Sequence, residues 1–335
     1  MKERDVAADL PSLAELDPIL DSLRGQRAWI VPMTGRSGKL LGNNGDFLMH
    51  AVFRRIIQAY GIDVVERKED GDMIIVPPSG ALLESYAFPD LLADRLRGTE
   101  RLPLLVFPSS ALFPTRDPAF MFEGREAPAV WMLREAPSLT HLEDRWGSSL
   151  ARAGVELALS HDVVALGHQF VPSLIGHRLP SASTFLIAPR ADRERTAAIS
   201  TSAAKRGGSG WFGGLTSLAQ RNALGRRAAR LVRKERTDLL ATELSDRLGH
   251  DAYSSIAGRS RRQLRLDLSS AQFCSFGEYS RALRGAGFVL TNRLHVALPA
   301  AILGAEVFIA EAGYHKLRGV YDNSLSRMPN VHLVD

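Results

Sequence analysis

The sequence is almost without cysteine: Cys274 is the only one in 335 residues. A single thiol excludes an intrachain disulfide and any metal site built on a cysteine cluster. It suits a reducing compartment. Long apolar runs are also missing, and no stretch reaches the 18 residues that would mark a membrane span. Residues 1–24 mix acids into short apolar patches, which lack the basic start and unbroken apolar core of a secretory signal. The expected location is therefore cytoplasmic. What is present is ordinary: 45% hydrophobic and 24% charged residues, which excludes a collagen, a disordered polymer or a coiled-coil rod. The length allows about two domains, with enough chain to bury a sizeable core.

Short apolar runs alternate with helical stretches. QRAWIVP (26–32), Ile62–Val65, Met73–Val76, Leu104–Phe107, Val130–Leu133 and Val163–Leu166 read as strands. The first is followed by a loop and an amphipathic helix from Phe47 that stops at Gly61. Composition shifts to Pro, Ser and Gly over 171–183, which reads as a domain boundary. Beyond it, Thr184–Ala188, a segment near 263–267, FVLTN (288–292) and EVFIAE (306–311) are expected strands. Helices are expected at about 215–249, 276–286 and 294–304, and residues 201–214 form a Gly/Ser-rich loop. Alternation of this kind predicts parallel sheets with helices on their faces. The expectation is an α/β chain of two Rossmann-like domains, 25–175 and 181–328, facing a cleft. In such sheets, ligands bind at the carboxyl ends of the strands.

Charge is unevenly placed. Residues 190–265 carry 17 basic and 7 acidic side chains, whereas the whole chain carries only +5. Arg226, Arg227, Arg230, Arg233 and Lys234 follow helical spacing and form one stripe. It reads either as a solvated face or as a surface for an anionic partner, such as a phospholipid face or a diphosphate-linked glycan. Nucleic acid is not expected, because no interleaved aromatics, zinc spacing or nucleic-acid motif accompany the charge.

Three constellations carry chemistry. In TNRLHVALPAAILGAEVFIAEAGYHKLRGVYD (291–322), a strand ends at Thr291-Asn292, and Arg293-Leu294-His295 turn into a helix. A helix start attracts anions, a guanidinium matches carboxylate or phosphate, and a histidine can carry a proton near neutral pH. Lys316, after the next strand, can reach the same edge. The structural alternative is that Arg293 caps a carbonyl and His295 packs in a core. In GNNGDFL (42–48), Asn43, Asn44 and Asp46 offer donors and acceptors, but the loop is neither a dinucleotide fingerprint nor a P-loop. Asp46 suits sugar hydroxyls or proton removal, or it caps the helix. In IAPRADRER (187–195), Arg190 follows a strand, with Asp192 and Glu194 placed to orient it.

Together these features resemble the polysaccharide pyruvyl transferase family. The resemblance rests on the G-N-x-G-D loop, the arginine after the first strand of the second half, the RLH segment, and Y-x-K before Val320-Tyr321. Weaker likeness covers IIVPPSGALLESY, LLVFPSSALF and WMLREAPSL, so it spans roughly 27–325. Where the family often carries a glycine cluster after its third strand, this chain reads Pro77-Pro78-Ser79-Gly80. The resemblance implies a GT-B-like fold, with the acceptor on the N-terminal side and the donor on the C-terminal side. It also implies a bacterial surface or exopolysaccharide role, phosphoenolpyruvate as donor, and a sugar or lipid-linked oligosaccharide as acceptor. His295 and Asp46 would then move protons. Arg190, Arg293, Leu294 and Lys316 would bind the donor, and Asn43 and Asn44 the acceptor. No cofactor or metal is expected. A nucleotide-sugar glycosyltransferase, or a non-catalytic glycan- or anionic-lipid-binding protein, would share the same features. Peripheral contact with the inner face of an anionic membrane is a further expectation.

Overall fold

The computed structural model describes residues 10–34, 42–190, 223–268, 274–311 and 315–334. In the helices that begin at Ala223 and His315, side chains are described from Leu231 and Lys316 onward. The chain divides into two compact units, 1–174 with 318–329, and 175–317 with 330–335.

The first unit holds strands β1 (Arg27–Ile30), β2 (Asp63–Val65), β3 (Met73–Val76), β4 (Ser79–Leu83), β5 (Leu104–Leu112), β6 (Ala129–Leu133) and β7 (Val155–Leu159). Their order is β2-β1-β3-β5-β6-β7, with β4 also paired to β5, and every pairing is parallel. Parallel neighbours need crossovers, here supplied by α1 (Asn44–Ala59), α2 (Phe88–Leu96) and α3 (Ala136–Arg152). Strand side chains alternate between the faces. Ile74, Val76, Leu104, Val106 and Trp131 pack with Leu92, Leu142 and Leu150 from α2 and α3. On the other face Phe107 meets Phe53 of α1 edge-to-face, with ring centroids 4.7 Å apart.

The second unit holds β8 (Thr184–Ala188), β9 (Arg262–Arg265), β10 (Ala286–Thr291), β11 (Glu306–Ala310) and β12 (Val331–Val334). The order is β12-β11-β10-β8-β9, again parallel throughout. Its helices are α4 (Ala223–Leu248), α5 (His250–Arg259), α6 (Phe276–Gly285) and α7 (Leu294–Ile302). Thr237, Ala241, Leu244 and Leu248 form the buried row of α4. Ala241, Leu244 and Leu248 pack with Phe185, Ile187, Leu290 and Ala310 of the sheet. Each unit is thus Rossmann-like α/β.

Three sequence expectations are corrected. Val163–Leu166 is a helical turn, not a strand. Asp162 caps it by accepting the Val164 N–H at 3.0 Å, and the strand is Val155–Leu159, upstream. No strand was expected after Val76 before Leu104, but β4 lies at Ser79–Leu83 and runs beside the far half of the nine-residue β5. Residues 318–328, placed in the second domain by the sequence, group with the first unit, as does Pro329. There the Asn323 amide donates to the carbonyls of Arg134 and Ser160 at 3.1 and 2.7 Å. The helix expected at 215–249 is described only from Ala223. The loop at 201–214, Asp192 and Glu194 lie outside the described residues.

Candidate functional site

The carboxyl ends of β8 and β10 are stitched together by side chains. Thr291 Oγ1 donates to the Ala188 carbonyl at 2.6 Å and accepts from the Arg293 N–H at 3.1 Å. Asn292 Oδ1 accepts from the Arg190 N–H at 2.6 Å. Arg293 Nε donates to the Pro189 carbonyl at 3.1 Å. These bonds hold the two arginine-bearing turns side by side. Arg293 is only 7% exposed. A guanidinium buried so deeply needs a carboxylate, and Asp267, just beyond β9, lies 3.4 Å from it. The other oxygen of Asp267 is 2.5 Å from the guanidinium of Arg233 on α4. Lys316, buried at 8%, follows β11. The sheet order therefore brings Arg293, Arg190 and Asp267 to three adjacent strand ends, and Lys316 lies in the helix after β11.

The start of α7 is irregular, and the sequence explains why. Pro299 lies inside the helix and has no N–H to give the carbonyl four residues back, which belongs to His295. His295 accordingly departs from helical geometry, at φ −83° and ψ 24°. Its carbonyl is taken instead by the hydroxyl of Tyr279, a buried residue of α6. Leu294 turns into the core, while His295 stays half-buried in the same turn as Arg293. The edge so built combines fixed cations, a helix start and a histidine.

Asn43, Asn44 and Asp46 belong to the first unit, at the start of α1. Asn43 accepts the Gly45 N–H at 2.8 Å, and the Asp46 carboxylate accepts the Asn43 N–H at 2.8 Å. This is a capping box, so Asp46 does the capping that the sequence also allowed. Gly42 is required beside it. Its φ is +131°, and a Cβ there would sit 2.7 Å from the Asp46 Cβ. Asn44 is fully buried.

The comparisons concern the fold. No family model and no curated protein matches the chain. Among solved structures, an uncharacterized protein of Klebsiella pneumoniae subsp. pneumoniae NTUH-K2044 is similar. It shares 16% identity at a TM-score of 0.53, over 96% of this chain and 97% of that one. The likeness is to the two-sheet α/β architecture.

The basic stripe divides on inspection. Arg233 is drawn to Asp267, whereas Lys234 is exposed. The side chains of Arg226, Arg227 and Arg230 lie outside the described residues. Leu231, Val232 and Leu239 of the same helix are 63%, 62% and 72% exposed. Among the described residues, no helix is long and apolar enough to cross a membrane, and no cluster of His, Cys, Asp or Glu is placed to hold a metal ion.

One polar cluster was not singled out from the sequence. At the carboxyl edge of the first sheet, Arg134 follows β6 and is 1% exposed. It bonds Asp162 at 2.7 Å and Ser110 at 2.9 Å, and lies 3.4 Å from Glu135. Glu135 in turn accepts from Ser110 at 3.1 Å and Ser138 at 2.5 Å. Both carboxylates are fully buried, so this network closes β5, β6, β7 and α3 together. The signal was the Arg-Glu pair at a strand end, but Ser110 and Asp162 lie more than twenty residues away.

Proposed function

We propose that this protein is a pyruvyl transferase, moving the enolpyruvyl carbon skeleton of phosphoenolpyruvate onto two hydroxyls of a sugar. The observation that carries the reading is the pairing of Arg190 and Arg293 at adjacent strand ends, with His295 in the Arg293 turn. Phosphoenolpyruvate presents a carboxylate and a phosphate, the anions that guanidinium forks and a helix start receive best. In this reading, His295 protonates the methylene carbon and makes its neighbour electrophilic. A sugar hydroxyl adds there, its proton replaces the one His295 gave, and the carbon–oxygen bond to phosphate breaks. The second hydroxyl closes the ketal, and its proton leaves with the phosphate. The product carries the new methyl group and the carboxylate. A GT-B-like fold, with acceptor contacts from Asn43, Asn44 and Asp46, belongs to the same proposal.

The exposed Leu231, Val232 and Leu239 favour an anionic membrane as a further partner. From Arg195 through Lys234 the sequence has nine basic residues and no acidic one. Apolar side chains beside a one-sign charge run fit a lipid surface and a lipid-linked acceptor. Co-sedimentation with anionic and neutral vesicles tests this partner. Binding to anionic vesicles that falls with salt is expected, and equal binding to both kinds, or none, removes the membrane. For the donor, a thermal-shift panel decides. Phosphoenolpyruvate should raise the melting temperature, and stabilisation by nucleoside diphosphates alone would point to a nucleotide-sugar transferase instead.

A further inference from the structure

We propose that Arg233 of α4 forms a phosphate-binding subsite with Arg293, and that Asp267 is the counter-charge a phosphate monoester displaces there. The inference rests on the reading above for the identity of the ligand and adds a residue group to its site.

Two guanidiniums share the one Asp267 carboxylate. The side chains of Asp267, Arg293 and Arg233 are 4%, 8% and 26% exposed. The cluster is therefore closed on the Arg293 side and open to solvent through Arg233. The Arg134–Asp162–Glu135 network of the first unit is the useful contrast. It also joins arginine to buried carboxylate, but it is sealed at 0–1% on every member. A purely structural tie has no need of the opening that Arg233 provides.

Position supports the same reading. Arg233 bonds Asp267 just past β9, and Arg247, on the same helix, donates to the Glu311 carbonyl just past β11. Helix α4 thus reaches the strand ends that carry Arg190 and Arg293, the edge at which open α/β sheets bind ligands. One neighbouring acid, Glu278, is occupied. It accepts from the Ser275 N–H and hydroxyl at 2.7 and 2.8 Å in the capping box of α6. The nearby Cys274 thiol is pushed up to about 11, by burial first and then by Glu278 and Asp267, so it adds no negative charge at neutral pH. A phosphate dianion offers three oxygens to two planar forks, where one carboxylate now bridges them with a long 3.4 Å arm to Arg293. On entry, the phosphate takes the donors and Asp267 gives them up. No covalent step is involved.

Isothermal titration of the full chain at fixed ionic strength tests this, with phosphoenolpyruvate, inorganic phosphate and pyruvate as probes. Arg233→Gln should weaken the first two by about tenfold to a hundredfold and leave pyruvate, which lacks the phosphate, unchanged. Arg233→Lys should recover part of the loss. Asp267→Asn should tighten inorganic phosphate, which a merely structural tie would not do. A folded Arg233→Gln protein that binds both phosphate probes like the wild type overturns the subsite and leaves the pyruvyl-transfer reading standing. Wild type that binds inorganic phosphate, sensitive to Arg233, but not phosphoenolpyruvate upholds the subsite and removes that reading. Wild type that binds neither overturns both. If Arg233→Gln fails to fold, Asp267→Asn decides, and unchanged or weaker phosphate binding overturns the subsite.

Discussion

Tyr279→Phe isolates the bond that replaces the one Pro299 removes from α7. The variant keeps the ring and its stacking on Phe276, with centroids 5.6 Å apart, and deletes only the hydroxyl that reaches the His295 carbonyl. Tyr279 is 1% exposed, so water cannot readily take its place. Depriving a buried acceptor of its donor costs about 1–3 kcal/mol. For a unit of this size that corresponds to a melting temperature roughly 3–10 °C lower. If the pyruvyl-transfer proposal holds, turnover should fall more than phosphoenolpyruvate affinity, because the carbonyl belongs to His295 and the variant leaves Arg190 and Arg293 in place. Pro299→Ala supplies the missing N–H, so the loss from Tyr279→Phe should shrink in that background. Thermal melting of the two single variants and the double variant measures the coupling. Equal losses with and without Pro299 would refute the link between proline, hydroxyl and histidine.

Arg134→Met strands the buried carboxylates of Asp162 and Glu135 and should cost about 3–5 kcal/mol, read by chemical denaturation. Adding Asp162→Asn should return part of it. His161 sits 3.1 Å from Glu15 and 3.0 Å from Ser324, and burial, only partly offset by Glu15, lowers its pKa. The folded protein then resists a proton that the unfolded chain accepts. This contribution to stability is full above about pH 6.5 and is lost as pH falls toward the folded value. His161→Gln should flatten stability over that window, and an unchanged slope would contradict the assignment. Cys274, 7% exposed and with its thiol pushed up to about 11, should react with a disulfide reagent at pH 8 only after unfolding.

The buried parallel strands were the most legible part of the sequence. Met73–Val76 and Thr184–Ala188 are buried at every position, and such strands appear as unbroken apolar runs. The same rule misread Val163–Leu166, because four apolar residues look alike in a buried turn and a buried strand. The deciding groups are the Asp162 cap and Gly167 after it, whose N–H bonds the Val163 carbonyl. β7, by contrast, carries Glu156 in an edge position and lacks the apolar run. The places of Arg190, Arg293 and His295 could be read from residue order alone, since each follows a strand or opens a helix. Asp267 and Arg233 could not. Their pairing spans 34 residues and depends on where α4 crosses the sheet. The return of 318–329 to the first unit was equally hidden, because it depends on Asn323 meeting two carbonyls far away in sequence.

The central claim is pyruvyl transfer from phosphoenolpyruvate with His295 as the acid. It is tested most directly by acceptor-dependent phosphate release and ketal formation, measured side by side for the wild type and His295→Gln with diol-bearing glycosides and a glycolipid extract. The account predicts release and ketal from the wild type. It predicts turnover lower by roughly 10²–10⁴-fold in the variant, with phosphoenolpyruvate affinity and melting temperature largely kept. Near-normal turnover in a well-folded His295→Gln protein, or a wild type that neither binds nor consumes phosphoenolpyruvate, would contradict it.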